Sequence, residues 1–353
     1  MVRACAVALS TAVLWFIGVQ GAAALDMNSV NRAELNGRSA KPVKGIDAAM
    51  IKAQVLLDRA RFSPGEIDGR DGENARKAIA AFETAQGHKP DGKLDAETWA
   101  KLTAQSSEPV LIEYTVSAED VKGPFVEKIP AKMEQMKDLE RLGYRSPLEA
   151  LSEKFHMSEA LLKALNYGKA FDKVGETIVV ANVRTAAPNK AAKVEIDKPR
   201  RILRAFSQDG QLIAVYPATL GSTEKPAPSG ILKVTSVAHN PTYRYNPEYN
   251  FKGVKSRKPF TIQPGPNNPV GSVWINLSAK GYGIHGTPEP SKVSKTESHG
   301  CIRLTNWDAV DLAAMVQKGM SVAFLEGGAD AMASASEEKS PSSRSRSWEK
   351  RSR

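Results

Sequence analysis

Apolar residues in the first third of the chain recur with the spacing of amphipathic helices. Two sets fall at positions i, i+3, i+4 and i+7: Ala53, Leu56, Leu57 and Ala60, then Ala75, Ala78, Ile79 and Phe82. A shorter third helix is predicted around Trp99 and Leu102. The segments 64–69 and 90–92 between these helices contain Asp and Gly, which favour tight turns. The pattern therefore predicts a small three-helix bundle over residues 46–105.

Residues 112–183 combine a strand pattern with a helical one. Residues 114–116 and 178–180 are short β-prone runs. Helical spacing is shown by the apolar residues between them: Leu148, Leu151, Phe155, Leu162 and Leu165. We predict a small α/β unit here, which either binds glycan or acts as a structural spacer.

Beyond a linker rich in Ala, Pro and Lys at residues 185–193, the pattern changes to short β runs. Asp209 and Gly210 form a strong hairpin signal between two of these runs. Strands are predicted over residues 202–206, 211–216, 231–237, 272–277 and 322–325. We predict a mainly-β, sandwich-like domain over residues 192–326.

One helix is expected to interrupt these strands. Asn306 is the predicted N-cap and Gly319 the predicted C-terminal stop. The residues expected to face inward are Val310, Ala313, Ala314 and Met315. With this helix added, the predicted fold class is a multidomain α+β protein, whose catalytic domain carries one or two short helices.

Both ends of the chain differ from these packed units. Residues 1–24 contain a basic start, an apolar run and a small-residue end, which is the layout of a secretory signal peptide. An uncleaved membrane anchor is the alternative. Residues 25–45 are polar without a sustained period and are expected to be a flexible lead-in, while the Ser- and Arg-rich tail 327–353 is expected to be disordered.

Composition is that of a globular protein, with 41% hydrophobic and 25% charged residues. The net charge of +10 would favour nucleic acid as a partner in the cytosol, but in an exported protein it favours anionic wall polymers. We therefore expect no nucleic-acid partner and no stable membrane span after signal cleavage. Cleavage removes Cys5 and leaves Cys301 as the only thiol, which is a surface oddity, an intermolecular bridge or a reactive group.

Two histidines near Cys301 favour the reactive interpretation. A thiol with an ordinary pKa of about 8.5 is barely ionised at neutral pH, so a catalytic Cys needs a base or a positive neighbour. His285 and His299 are both candidates, and His299 would share a face with Cys301 in an extended segment. Gly300 lets the backbone turn closely, so that neighbouring amides can face an oxyanion. A buried inert Cys and a zinc site are the alternatives.

The segments around these residues resemble the signature of the YkuD-like L,D-transpeptidase family. Residues 283–287 read Gly-Ile-His-Gly-Thr, and residues 298–304 read Ser-His-Gly-Cys-Ile-Arg-Leu. Residues 226–230, Pro-Ala-Pro-Ser-Gly, are similar to the family's Thr-Pro-Ser-Gly turn but depart from it at Ala227 and Pro228. The resemblance covers approximately residues 192–325.

Two further resemblances concern the N-terminal half. Residues 46–105 resemble a peptidoglycan-binding three-helix domain, through residues that include Gln54, Asp68 and Gly69. Residues 112–183 resemble a degenerate lysin-motif glycan-binding module. They depart from it by a long insertion, roughly residues 121–145.

The transpeptidase resemblance implies a role for each residue of the signature. Cys301 is the nucleophile, His285 the general acid/base, Gly286 the backbone carbonyl that orients His285, and Gly300 part of the oxyanion loop. Four residues are candidates for substrate binding: Arg303, His299, Ser298 and Tyr282. Stem peptides carry carboxylates that pair with a guanidinium, although a structural ion pair is the alternative for Arg303.

The family resemblance also implies substrates and partners. The donor is a tetrapeptide stem that loses D-Ala, and the acceptor is an amine of a second stem or of a wall-attached lipoprotein. Glycan and carbapenem inhibitors are further expected partners, no metal or organic cofactor is implied, and the location is the periplasm or cell wall. An L,D-carboxypeptidase that uses water as acceptor and a non-catalytic wall-binding protein are the alternatives.

Residues 240–271 form a connection too long for a simple hairpin. Its aromatic residues include Tyr243, Tyr245, Tyr249 and Phe251. Long loops in compact domains are commonly lids or binding loops. We hypothesise that this segment is a flap that shields the thioester from water. Tyr282 and Trp274 either line the groove beneath it or pack in the core.

Overall fold

The computed structural model describes residues 25–35, 45–184, 186–249, 254–298 and 300–327. The predicted signal peptide, all but the first residue of the predicted tail, Phe251 and His299 lie outside the described residues. Among the residues described, no helix is both long and apolar enough to cross a bilayer.

The α-helices begin with Asp or Ser N-caps at several positions, among them Asp47, Asp95 and Ser158. Their bounds are α1 (Met27–Asn31), α2 (Ala48–Arg59), α3 (Glu73–Ala85), α4 (Ala96–Thr103), α5 (Ala118–Val121), α6 (Met133–Met136), α7 (Pro147–Lys154), α8 (Glu159–Leu165) and α9 (Asn306–Met315).

The strands fall mainly in the second half of the chain. Their bounds are β1 (Leu111–Thr115), β2 (Thr177–Ala181), β3 (Lys193–Asp197), β4 (Ile202–Phe206), β5 (Leu212–Pro217), β6 (Gly230–His239), β7 (Tyr243–Tyr245), β8 (Phe260–Ile262), β9 (Val273–Leu277), β10 (Gly283–His285), β11 (Ile302–Arg303) and β12 (Ser321–Leu325).

The three helices predicted from apolar spacing are confirmed as α2, α3 and α4. Gln54 is buried, and its Oε1 accepts hydrogen bonds from the amides of Asp68 (3.0 Å) and Gly69 (2.7 Å). These signature residues therefore close a turn onto α2. The expectation of a flexible lead-in is wrong for Met27–Asn31, because α1 forms there and buries Val30 in the core.

Residues 112–183 contain the predicted strands, which pair antiparallel as β1 and β2 with Leu111 opposite Ala181. The helical spacing between them is divided into two helices, α7 and α8. Their buried side chains share one hydrophobic core with α2–α4. The helical unit and the middle unit are thus packed together.

The catalytic half is an eight-stranded sheet in the order β11-β10-β9-β6-β12-β3-β4-β5. The long strand β6 pairs with β12 at one end and with β9 at the other, and its register shifts between Val234 and Ser236. Both parts of the sheet contribute to one core together with α9. The predicted fold class, α+β with a mainly-β catalytic domain, is confirmed.

The helix α9 differs from its prediction at both ends. Thr305 is the N-cap and its Oγ1 accepts from the Asp308 amide at 3.2 Å, whereas the Asn306 side chain points to the middle unit. The helix ends at Met315, before Gly319. Val310 is 44% exposed and Ala314 is also exposed, so the prediction that these two residues face inward is wrong.

A buried cluster of charges joins the three parts of the chain. The Arg184 side chain is 5% exposed and pairs with Asp58 of α2, with Asp308 of α9 at 2.8 Å and with Asp311 of α9 at 3.2 Å. The Nδ1 of His156, in the middle unit, donates a 2.9 Å hydrogen bond to the ionised carboxylate of Asp58. The catalytic sheet is therefore fixed to the helical unit through largely buried ion pairs.

The insertion at 121–145 packs against the segment 240–271. The Leu142 amide donates to the Pro264 carbonyl and the Asn267 amide to the Leu142 carbonyl, both at 2.9 Å. The Glu134 carboxylate accepts from the amides of Lys255 (2.5 Å) and Ser256 (3.3 Å). The middle unit thus holds the predicted flap from outside.

Candidate active site

Two short strands bring the halves of the signature together. β10 and β11 pair in parallel, with His285 opposite Arg303, and the Leu304 amide donates to the His285 carbonyl at 2.9 Å. Cys301 immediately precedes β11, so it lies beside the strand of His285 at one edge of the sheet. Neither strand was predicted, because segments of two or three residues carry no period that could reveal them.

His285 and Cys301 line one cavity of about 800 Å³. Arg303, Tyr282 and Trp274 line it too, and the flap contributes Tyr243. Met133 reaches the same cavity from the insertion of the middle unit. The cavity is therefore built from the catalytic sheet, the flap and the insertion. Of the two alternatives for Tyr282 and Trp274, groove or core, the structure places both side chains in the lining of the cavity.

The His285 ring is held in one orientation. Its Nδ1 lies 2.7 Å from the Gly286 carbonyl oxygen, which can only accept, so Nδ1 carries the proton and Nε2 presents a lone pair. The Trp274 ring stacks on the imidazole with centroids 5.4 Å apart. A Cβ at Gly283 would lie 2.5 Å from the Trp274 ring, so Gly283 is needed for this stacking.

Asn306 fixes the backbone beneath His285. A Cβ at Gly286 would lie 2.2 Å from the Asn306 Oδ1, which accepts from the Ser272 amide at 3.1 Å. The Asn306 Nδ2 donates to both carboxylate oxygens of Glu153 at 3.0 Å. Sequence reasoning missed this role because it depends on Glu153, a residue 153 positions away in the middle unit.

Ser298 shapes the turn that carries Cys301. Its Oγ donates to the Cys301 carbonyl at 2.6 Å and accepts from the Gly300 amide at 3.2 Å. Gly300 has a φ of +102°, and a Cβ there would lie 2.8 Å from the Tyr282 ring. The Gly300 amide therefore already has an acceptor, the Ser298 Oγ. The Cys301 amide has no acceptor within the described part of the chain.

Electrostatics at the site favour the neutral forms of both reacting groups. Burial lowers the pKa of His285 to about 3, and the Arg303 charge adds to the effect. Burial also raises the pKa of the Cys301 thiol, against the opposing effects of the Gly283 amide and the Arg303 charge. At neutral pH the pair is thus a thiol and an imidazole rather than an ion pair.

Arg303 lies at the cavity with its guanidinium available. No ion pair forms between it and any described residue, although the carboxylate of Glu289 is close enough to influence its pKa, which burial lowers. The backbone of Arg303 exchanges two 2.9 Å hydrogen bonds with Thr219. The structural ion pair considered for Arg303 is therefore absent among the described residues.

Residues 191–323 match the family model described as "L,D-transpeptidase catalytic domain". This segment is an L,D-transpeptidase domain. Residues 47–102 match a second model, described as "Putative peptidoglycan binding domain". Both family resemblances are thereby confirmed.

Curated relatives of the L,D-transpeptidase domain are bacterial. "Putative L,D-transpeptidase YkuD" of Bacillus licheniformis is 29% identical over 182 residues, which cover 50% of this chain and 92% of the relative. "Putative L,D-transpeptidase YqjB" of Bacillus subtilis is 35% identical over 123 residues, or 33% and 62% of the two chains. The solved L,D-transpeptidase 3 from Mycobacterium tuberculosis is 17% identical, covers 45% of this chain and 77% of its own, and superposes with a TM-score of 0.32.

In this L,D-transpeptidase domain, the structure places the signature residues in two layers. Cys301, His285, Arg303 and Tyr282 line the cavity, whereas Ser298 and the Gly286 carbonyl lie behind it and orient the others. His299, the rival candidate for the base, is outside the described residues. No group of three or more His, Cys, Asp or Glu side chains in the described ranges could hold a metal ion.

The neutral pair predicts how Cys301 reacts with alkylating agents. Because burial raises the pKa of the thiol, the rate with iodoacetamide is expected to rise about tenfold per pH unit between pH 6 and 8, as the small thiolate fraction grows. Stopped time points read by intact mass measure this rate. The chain unfolded in urea is the control, since its thiol titrates near the ordinary pKa of about 8.5. A plateau below pH 7 in the folded protein would contradict the neutral pair.

Proposed function

We propose that this protein is an exported peptidoglycan L,D-transpeptidase that forms an acyl thioester on Cys301. The observation that carries the proposal is the shared cavity of Cys301 and His285 within the matched catalytic domain. No ATP is available outside the cytoplasm, so an amide bond there is most simply made by exchange of an existing one. A thioester retains the acyl group for that exchange.

The proposed acylation uses Cys301 and His285, the two side chains that share the cavity. The Cys301 Sγ attacks the carbonyl carbon between the diamino acid and the terminal D-Ala of a tetrapeptide stem, while its proton passes to the His285 Nε2. The negative charge that develops on the carbonyl oxygen is stabilised by the Cys301 amide, which has no other partner in the described structure. The C–N bond then breaks, the proton from Nε2 goes to the leaving nitrogen, and D-Ala departs.

Transfer reverses these proton movements. An amine of a second stem, or of a wall-attached lipoprotein, attacks the thioester carbon and loses a proton to the His285 Nε2. The C–S bond breaks, and the sulfur recovers that proton. Arg303 is suited to a carboxylate of one of the two peptides, because its guanidinium is at the cavity without an ion-pair partner among the described residues. Ser298 positions the nucleophile, and Tyr282 borders the acyl group.

The carboxypeptidase alternative differs only in the acceptor, which would be water. We infer that the segment 240–271 favours transfer by excluding water, because Tyr243 and Val270 of this segment line the cavity. The middle unit supports the segment through the hydrogen bonds from Lys255 and Ser256 to Glu134.

Removal of this support is expected to shift the balance between the two reactions. In Glu134→Ala the amides of Lys255 and Ser256 lose the one carboxylate oxygen that accepts from both, so water should reach the thioester more often, and the ratio of tripeptide to dimer should rise several-fold. The matched control is Glu140→Ala, an exposed glutamate of the same insertion. Product ratios measured by mass spectrometry decide the matter, and an unchanged ratio in Glu134→Ala would count against a shielding role.

The decisive experiment is incubation of purified residues 25–353 with disaccharide-tetrapeptide, followed by mass analysis of the products. A dimer that lacks one D-Ala is the expected product. Tripeptide alone would favour the carboxypeptidase. No reaction, together with loss of wall binding when residues 46–105 are deleted, would favour the non-catalytic wall-binding protein.

Localisation in the periplasm or cell wall is part of the proposal. The peptidoglycan-binding match at residues 47–102 supports association with the wall. Export itself rests on the signal-peptide pattern of residues 1–24.

A further inference from the structure

A second cavity of about 810 Å³ lies where the helical unit, the middle unit and the catalytic sheet meet. Neither Cys301 nor His285 belongs to its lining. Six glutamates from all three parts of the chain border it: Glu66, Glu127, Glu149, Glu153, Glu159 and Glu289. We call this space the glutamate cavity.

The charge of the glutamate cavity is not balanced by its own cations. Lys128 and Arg145 are the basic residues of its lining. Arg145 is already paired with Glu149 at 2.9 Å and with Glu159 at 3.3 Å. Glu66 and Glu127 have no ion-pair partner in the portion of the chain that the structure describes. Burial raises the pKa of Glu66 to about 7 and that of Glu153 to about 8, and the neighbouring carboxylates of Glu159 and Glu149 add to these two shifts.

Two buried polar side chains in the same wall also lack partners. Ser152 is 4% exposed and Trp307 is 8% exposed, and neither the Ser152 Oγ nor the Trp307 Nε1 has a hydrogen-bond partner among the described residues. An indole N–H can only donate, so it requires an acceptor oxygen. Buried polar groups in native proteins are normally satisfied, which indicates that an occupant completes this wall.

We propose that the glutamate cavity binds a peptide that carries a free amine. The ammonium group meets the unpaired carboxylates around Glu66, and a carbonyl or carboxylate oxygen of the peptide accepts from the Trp307 Nε1. A neutral sugar supplies no positive charge. A bare metal ion supplies no acceptor for the indole, and no cluster of metal-binding side chains is found in the described ranges.

The proposed function narrows the peptide class. The substrates of the proposed reaction are stem peptides with a diamino acid, which offer both a side-chain amine and several carbonyl oxygens. The identity of the occupant as a stem peptide therefore rests on the proposed function. Recognition of an amine together with an acceptor oxygen rests on the cavity alone.

The test is isothermal titration calorimetry on the full-length chain with Cys301 alkylated by iodoacetamide, so that the thiol cannot react with the probes. The probes are the tripeptide Nα-acetyl-L-alanyl-γ-D-glutamyl-L-lysine, whose lysine Nε is its one free amine, and the same tripeptide acetylated at that Nε as well. Saturable binding of the free amine is expected, with roughly tenfold weaker binding of the Nε-acetylated form, equivalent to about 1.4 kcal/mol. Glu66→Gln and Glu127→Gln should each weaken binding of the probe with the free amine. Glu297→Gln should leave that binding unchanged, because Glu297 is an exposed glutamate outside the cavity.

Absence of saturable binding would overturn the proposal, as would equal affinity for the two probes or wild-type affinity in both cavity variants. Thermal melting verifies that the variants are folded. Failure here is distinguishable from failure of the proposed function, because the unmodified protein is assayed separately for dimer formation. Dimer formation without binding of the free-amine probe refutes only the proposal that the glutamate cavity binds a peptide amine. Binding without dimer formation refutes the transpeptidase reaction alone.

Discussion

Replacement of Cys301 by alanine is expected to abolish formation of the stem-peptide dimer. The substitution removes the sulfur that would carry the acyl group, and no other thiol exists in residues 25–353. Loss of a catalytic nucleophile typically lowers the rate by at least about 10⁴-fold. Mass analysis of products after incubation with disaccharide-tetrapeptide measures the effect. Dimer formation within tenfold of the wild-type rate would rule out a covalent intermediate on Cys301.

Two controls separate chemistry from folding. The Tm of Cys301→Ala should match that of the wild type, because the half-buried thiol makes only a 3.7 Å contact with the Gly281 carbonyl. Histidine variants supply the second control. His285→Gln should lose activity, while His239→Gln, an exposed histidine at the end of β6, should retain it. A carbapenem should add its mass to the wild-type chain and leave Cys301→Ala unmodified.

Replacement of Arg184 by methionine is expected to destabilise the protein by about 3–5 kcal/mol, because it leaves several carboxylates buried without their shared cation. Arg184 pairs with Asp58, Asp308 and Asp311, and its side chain is 5% exposed. Urea unfolding followed by circular dichroism gives the change in the free energy of unfolding. The matched control is Arg76→Met, whose side chain is 50% exposed in its pair with Asp71. It should cost no more than about 1 kcal/mol.

The cost of Arg184→Met should also depend on pH. Burial alone would raise the pKa of Asp58, but Arg184 and the His156 hydrogen bond outweigh it and hold that pKa well below its ordinary value. A carboxyl group whose pKa is lowered in the folded state stabilises the fold at any pH above its unfolded-state pKa of about 4. This contribution to the free energy of unfolding is lost as the pH falls below that value. The difference between wild type and variant should therefore shrink below pH 4. A constant difference from pH 7 to pH 3 would contradict this assignment.

The elements that were predicted correctly are those whose pattern of apolar residues lies within one short stretch of sequence. The helices α2 and α3 bury residues such as Leu57 and Phe82 at regular intervals, and β4 coincides with its predicted bounds. Such periods are visible in any window of ten or so residues. His285 and Cys301 were predicted as site residues from the signature around them, which a short stretch of sequence also contains.

The parts that were missed depend on contacts between distant segments. β10 and β11 are strands only because they pair with each other and with β9. Asn306 has the side chain of an N-cap, but Glu153 engages it from the middle unit and Thr305 caps the helix instead. Met133 enters the catalytic cavity from an insertion whose sequence gives no sign of a role there.

The helical and middle units share one core, and Arg184 joins them to α9 of the catalytic domain. These contacts fix the distance between the N-terminal half and the Cys301 thiol. A glycan strand held by the helices would therefore stand at a set distance from the acyl group. In the proposed reaction, this distance would limit which second peptide reaches the acyl group. The spacing of neighbouring strands in the wall would then act together with the peptide contacts of Arg303 in deciding which stems are joined.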